Sequence, residues 1–240
     1  MSTFPKCIKF PWGIHPATAE KELLTVPTDD ELADKFESCL AAAKCEQDIQ
    51  NFLEKYPHIL PGLDTFHHGP MAQMIVTKFP LNVDFVTDFA FVSENSQCLE
   101  ITFVEIESPK KRIFNKNGSF SRDYLDARQQ LADWNGWAQH NLRNVAALFG
   151  PMGKFIFGGG DCITLRCILI IGRRSELTSR KRQQRWAAEN ALRAASMNIM
   201  TYDRLLERTR LGLFWPLNKR ILVCNYCDRE FQVKRIAISE

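Results

Sequence analysis

The chain has 240 residues, 45% hydrophobic and 25% charged, with 31 Lys and Arg against 28 Asp and Glu for a formal charge of +3. At about 100–200 residues per domain, that length predicts one large domain or one domain with appendages, and the composition excludes wholesale disorder and a fibrous chain. No apolar run approaches the roughly 20 residues needed to span a bilayer, and no basic segment precedes an apolar core near the start. A cytoplasmic protein without membrane contact is therefore expected, its eight scattered cysteines reduced.

In chain order, residues 1–27 carry Pro5, Pro11, Pro16 and Pro27 without a clear period and read as an irregular arm. Thr28-Asp-Asp-Glu31 has capping-box spacing and opens a helix through Leu32, Phe36, Leu40 and Ala43. A second helix, striped by Ile49, Phe52 and Leu53, ends near Tyr56-Pro57, because a residue before proline avoids helical angles. Three strands follow, Met71–Phe79, Val83–Val92 and Cys98–Ser108, rich in Val, Ile, Phe and Thr and separated by turn residues. After a basic loop, Lys110–Gly118, Ser121 is placed to cap a long helix to about Asn141. Gly158-Gly-Gly160 is a loop and Thr164–Ile171 a buried strand. Then come a helix over Glu176–Met197, a short strand Asn198–Thr201, a helix Tyr202–Arg210 and a hairpin over Arg220–Ile238. An antiparallel meander followed by a βα unit predicts a mixed sheet with helices on both sides.

Carboxylates stand where a core is expected. Strand side chains alternate faces, so Leu99, Ile101, Phe103, Glu105 and Glu107 share one face of the third strand, and Asp84, Val86, Asp88, Ala90 and Val92 share one face of the second. A buried unpaired carboxylate is costly, and several together repel one another. A divalent cation resolves the conflict: Mg²⁺ takes oxygen ligands, keeps waters and activates one of them against a phosphate. Acids at a solvent-facing strand end, beside lysines, are the competing explanation.

Asp88, 16 intervening residues, then Glu105-Ile-Glu107 resembles the PD-(D/E)xK nuclease core. Glu46-Gln-Asp-Ile-Gln-Asn-Phe-Leu-Glu-Lys-Tyr-Pro57 resembles the opening helix of the Shedu anti-phage nuclease family. Asp88-Phe89 and Phe103-Val-Glu-Ile-Glu-Ser-Pro109 resemble its metal-binding strands, and Ala127-Arg-Gln-Gln130-Leu-Ala-Asp-Trp134-Asn-Gly-Trp137 its glutamine-bearing helix. Leu169-Ile-Ile-Gly-Arg-Arg174 and Met200-Thr-Tyr-Asp-Arg-Leu-Leu206 are similar to its later strand and helix. The resemblance covers about residues 45–210. It implies a restriction-endonuclease-like α/β fold in which a nuclease domain (45–212) is flanked by an arm and helix (1–44) and a C-terminal hairpin (213–240). It further implies a homo-oligomer that hydrolyses phage or plasmid DNA with Mg²⁺ or Mn²⁺.

In that pattern Asp88, Glu105 and the backbone carbonyl of Ile106 hold the metal, and Glu46 is a candidate further ligand. Glu107 positions or deprotonates the water, and Gln130 hydrogen-bonds the acids or the water. Two departures stand out. Glu107 occupies a position that is lysine in many relatives, which keeps open a nuclease-like protein that binds nucleic acid, or serves as a scaffold, without cutting. Asp84, on the same face, competes with Asp88 as the motif acid.

Basic residues flank these acids. Lys110, Lys111, Arg112 and Lys116 follow the acidic strand directly, and Arg173 and Arg174 lead a second cluster with Arg180, Lys181, Arg182 and Arg185. Such clusters supply phosphate affinity, although a charge run is usually a solvated face; no base-reading motif accompanies them. Cys224-Asn-Tyr-Cys227 has knuckle spacing, but a structural zinc needs four ligands and Cys162 and Cys167 are poorly spaced to complete one. His67-His68 reads as a polar loop, and Gly150–Lys154 lacks the spacing of a phosphate loop.

Overall fold

The computed structural model describes residues 20–24, 29–61, 74–82, 84–94, 99–148, 163–193, 197–212, 220–227 and 230–238. The strands are β1 (Glu20–Leu24), β2 (Met74–Pro80), β3 (Val86–Glu94), β4 (Leu99–Ile106), β5 (Ile163–Ile170), β6 (Met197–Met200), β7 (Arg220–Cys227) and β8 (Glu230–Ile238). The helices are α1 (Asp29–Ala42), α2 (Glu46–Lys55), α3 (Arg122–His140), α4 (Leu142–Leu148), α5 (Arg180–Arg193) and α6 (Tyr202–Arg210). The eight strands among the described residues form one sheet in the order β1-β8-β7-β2-β3-β4-β5-β6. β2, β3 and β4 pair antiparallel; β4, β5 and β6 pair parallel.

From β2 to β6 the sheet is covered on both faces, which is why β4 and β5 are apolar on both sides. On one face α1, α2 and α6 pack over Ile75, Phe89, Phe91, Val104, Ile106, Ile168 and Ile170. On the other, α3 lays Tyr124, Leu131 and Trp134 over Ala90, Val92, Ile101, Phe103, Cys167 and Leu169. The alternation read along β4 is thus the alternation observed: Ile101 and Phe103 face α3, Val104 and Ile106 face α1 and α2.

Several expectations need correcting. Glu20–Leu24, inside the stretch read as an irregular arm, is a strand parallel to β8. The expected hairpin over Arg220–Ile238 is present as β7 and β8, and it continues the same sheet through parallel pairing of β7 with β2. The second strand begins at Val86 because Asn82 Oδ1 accepts from the backbone N–H of Asp84 and Phe85, both at 2.7 Å, holding the preceding residues in a turn. The helix expected from Glu176 starts at Arg180, because Arg174–Glu176 is a 3₁₀ turn whose glutamate is engaged elsewhere. α4 was not foreseen. The capped helix fits closely: Ser121 Oγ accepts from Tyr124 N at 3.1 Å. His67-His68, Gly150–Lys154, Gly158–Gly160, Cys162 and the first residues of the Met71 strand lie outside the described residues. Among those described, no helix is long and apolar enough to cross a membrane.

Candidate functional site

The β3–β4 ladder has its last pair at Phe89–Val104, although β4 continues to pair with β5 through Ile106–Ile170. The two strands part at the next row, where the register sets Asp88 opposite Glu105. Asp88 takes the place of the missing backbone partner: its Oδ2 accepts from Ile106 N at 2.8 Å. The acids are therefore brought together by the opening of a sheet, with the backbone around them fixed. Glu107 N donates to Ile170 O at 2.9 Å, and the Tyr202 hydroxyl donates to Glu107 O at 2.6 Å. Burial, and then the neighbouring acids, hold that phenol well above its ordinary pKa, so it remains a neutral donor.

Asp88, Glu105 and Glu107 are 4%, 7% and 5% exposed, values that exclude the solvent-facing strand end considered above. α2 adds Glu46 at its first residue, half-buried. The start of α2 is fixed by Asp48, whose Oδ2 accepts from Lys44 N at 2.7 Å and Cys45 N at 3.3 Å. Burial, and then the charges of Asp88 and Glu107, push Glu46 up to about 7. Burial, followed by the charge of Asp88 and a hydrogen bond to it, holds Glu105 well above the usual carboxylate range. Gln130, two turns into α3, donates from Nε2 to Glu105 Oε1 at 2.8 Å. Gln50, one turn after Glu46, is buried with its Oε1 free of any protein partner.

Two lysines meet this cluster. Lys78 Nζ contacts Asp88 Oδ1 and Lys111 Nζ contacts Glu107 Oε2. Among the described residues no group of three or more His, Cys, Asp or Glu is arranged to hold a metal ion. The physical reason is visible: Asp88 is committed to Lys78 and to Ile106 N, Glu107 to Lys111. An ion would have to exchange places with an ammonium. In donor chemistry the residues fit a hard cation, with four carboxyl groups and a buried amide oxygen at one strand end.

The structure thus gathers Glu46, Asp88, Glu105, Glu107 and Gln130 and leaves Asp84 exposed in the β2–β3 turn, away from them. The basic residues divide. Lys110, Arg112 and Lys116 are exposed on the loop after β4, while Lys111 serves Glu107. Arg173 makes a bidentate pair with Asp203 at 3.0–3.2 Å, and Arg174 pairs with Glu207. Arg182, from the second basic cluster, donates to Asn115 O and Glu176 O, both at 2.9 Å, and so holds the loop itself.

Sequence reasoning missed Lys78, Tyr202 and Glu176. Glu176 receives the N–H groups of Ile113 (3.0 Å to Oε2) and Phe114 (3.2 Å) and anchors the basic loop under the site. Lys78 had a readable signal. Once β2 and β3 form a hairpin in which Pro80 pairs with Val86, Lys78 falls opposite Asp88.

A mixed sheet covered on both faces, opened at one end around buried carboxylates, is consistent with a PD-(D/E)xK-like fold. Residues 43–206 match the family described as Shedu protein SduA, C-terminal, and the chain belongs to that family, which is linked to anti-phage defence. A comparison with curated proteins finds no match.

Proposed function

We propose that this chain is a metal-dependent endonuclease that hydrolyses phosphodiester bonds of phage or plasmid DNA in defence of its host. One observation carries the reading: Glu46, Asp88, Glu105 and Glu107 converge at the parted ends of β3 and β4 with, among the described residues, only Lys78 and Lys111 against them. With every group ionised, two negative charges remain uncompensated in a poorly solvated place, the charge of one divalent cation. Protonation is the alternative, and the raised values of Glu46 and Glu105 record that tendency. A protein evolved for stability alone has little reason to keep such a cluster.

Asp88 and Glu105 would hold Mg²⁺ or Mn²⁺, with the carbonyl of Ile106 as a further ligand. Bound there, the ion supplies charge neutralisation for the phosphate and a more acidic water. The Glu107 carboxylate would accept the proton of the attacking water as that water's oxygen bonds to phosphorus. The ester P–O bond then breaks, and the departing oxygen takes a proton from solvent. Gln130 keeps Glu105 oriented throughout. The exposed Lys110, Arg112 and Lys116 suit a phosphate backbone running toward the site, a contribution that salt would weaken.

The test is incubation of the purified chain with supercoiled plasmid in Mg²⁺, Mn²⁺ or EDTA, beside Glu105→Gln. Nicked or linear product in metal alone, lost in the variant, supports the proposal. Metal binding without cleavage of any DNA or RNA would favour the nucleic-acid-binding alternative.

A further inference from the structure

β2 carries one irregularity, and it lies beside the acids. Lys78 has φ of 50°, the one positive φ outside glycine among the described residues. A side chain with a Cβ in the left-handed region is strained, and such residues persist where something else holds them. The ladder shows the effect. Thr77 pairs with Phe89 and Phe79 with Thr87, while Lys78, facing Asp88 between them, makes no pair. Val76 and Phe79 both pack in the cluster under α3, although three residues apart. The left-handed residue between them reverses the alternation of the strand. Glycine would take this conformation without strain, yet the position holds a long cationic side chain.

That side chain has a definite place. Lys78, Asp88 and Glu105 occupy one row across three neighbouring strands. Lys78 Nζ lies against Asp88 Oδ1, with the lysine side chain 36% exposed and the aspartate 6%. The ammonium can therefore reach solvent, whereas the carboxylate it touches is buried. The same carboxylate is one the proposed function gives to a divalent cation, and two cations cannot crowd it without strong repulsion.

We infer that Lys78 is a catalytic residue that exchanges partners: it neutralises Asp88 until a divalent cation takes that carboxylate, and then engages a non-bridging oxygen of the scissile phosphate. This rests on the nuclease reading and adds to it a group that responds to metal and substrate in turn. A compact ammonium on a flexible stem suits such an exchange better than a guanidinium locked in a fork. The exchange breaks and makes no covalent bond. Lys111 differs, sitting on an ordinary backbone in the turn after β4 and pairing with Glu107 four residues earlier.

The experiment measures Mn²⁺ affinity by titration calorimetry and plasmid cleavage at saturating Mn²⁺ for wild type, Lys78→Ala, Lys78→Arg and Lys78→Gly, with melting temperatures for each. Loss of a competing charge at Asp88 should tighten Mn²⁺ binding in Lys78→Ala by about tenfold, as removal of a nearby like charge does. Loss of a donor to the phosphate should slow its cleavage by about a hundredfold. Opposite signs are the signature, since structural damage weakens both. Lys78→Gly should repeat the pattern while melting no lower than Lys78→Ala, because its backbone strain is relieved. Lys78→Arg should recover part of the cleavage. Weaker Mn²⁺ binding together with slower cleavage in both Lys78→Ala and Lys78→Gly would overturn the inference. So would wild-type cleavage in Lys78→Ala, and that result would leave the nuclease reading standing. If wild type cuts nothing with any metal, the nuclease reading is lost, and the Mn²⁺ comparison alone decides whether the ammonium and the metal compete.

Discussion

Replacing Glu105 by Gln should make the protein more stable in the absence of metal. The substitution keeps the size of the side chain and an oxygen to accept from Gln130 Nε2, at 2.8 Å in the parent, and the new amide can donate to Asp88. It removes one of the four converging acids. Two like charges roughly 5 Å apart, at an effective dielectric of about 20, repel by about 3 kcal/mol. The lysines and the hydrogen bond with Asp88 offset part of this, leaving a net gain of roughly 1–2 kcal/mol at pH 8 in EDTA. For a chain of this size, each kcal/mol moves the melting temperature by roughly 2–4 °C, so a rise of about 2–8 °C is expected. The gain depends on pH in a defined direction. Glu105 has a folded-state pKa raised above its ordinary 4.5 by burial and by Asp88. Its carboxyl thus contributes fully at low pH, where it is protonated and equivalent in charge to glutamine, and loses that contribution as pH rises through the raised value. The advantage of the variant should therefore shrink as pH falls toward 4.5. Scanning fluorimetry across this range, with EDTA and with Mg²⁺, checks it. A variant melting below wild type at pH 8 in EDTA, or one whose advantage is independent of pH, would refute the picture of a repulsive cluster.

Other expectations follow from the same geometry. With Glu46 pushed up to about 7, Mn²⁺ must displace protons, so calorimetry in two buffers of different ionisation enthalpy should show proton release, and affinity should fall as pH drops through about 7; binding without proton release would contradict this. Gln130→Ala removes the side-chain donor to Glu105 and should slow cleavage by about 10–100-fold, while moving the melting temperature by less than about 4 °C. Glu176→Ala strands the N–H groups of Ile113 and Phe114 and should cost roughly 2–4 kcal/mol in urea unfolding; a loss below about 0.5 kcal/mol, the scale of an ordinary surface substitution, would mean water replaces the carboxylate readily. At Gly172, with φ of 64°, an added Cβ would lie 2.8 Å from Ile113 Cγ1, so Gly172→Ala should destabilise by about 2 kcal/mol or more.

How much of this was written in the sequence follows from which interactions are local. β4 declared itself as a covered strand, since its run is apolar on both faces, but the burial of Glu105 within it was not legible, because a solvent-facing strand end would carry the same pattern. α3 was equally plain, since Ser121 and the stripe through Trp134 are signals within one helix. The elements that depend on distant partners were not legible. Glu20–Leu24 is a strand because β8, more than 200 residues later, offers it an edge, and nothing in Glu-Lys-Glu-Leu-Leu itself says so. α5 starts late because Glu176 is drawn to Ile113, some 60 residues away. In the site, the acids on adjacent strands were found from alternation, and Gln130 from resemblance. Lys78 escaped notice because a lysine inside a strand ordinarily points to solvent, and its left-handed backbone is a product of tertiary packing. The arginines were misjudged for a similar reason. Arg173 and Arg182 look like free positive charge along the chain, but in the fold they are bound to Asp203 and to the loop carbonyls.

The central claim is that carboxylates from β3 and β4 hold a divalent cation where those strands part. Anomalous diffraction from crystals grown with Mn²⁺ tests it most directly. The expected result is a manganese peak bridging Asp88 and Glu105, with Lys78 Nζ moved off Asp88 and no peak in crystals of Glu105→Gln. Manganese absent from that place while it binds elsewhere, or retained there after the substitution, would contradict the account.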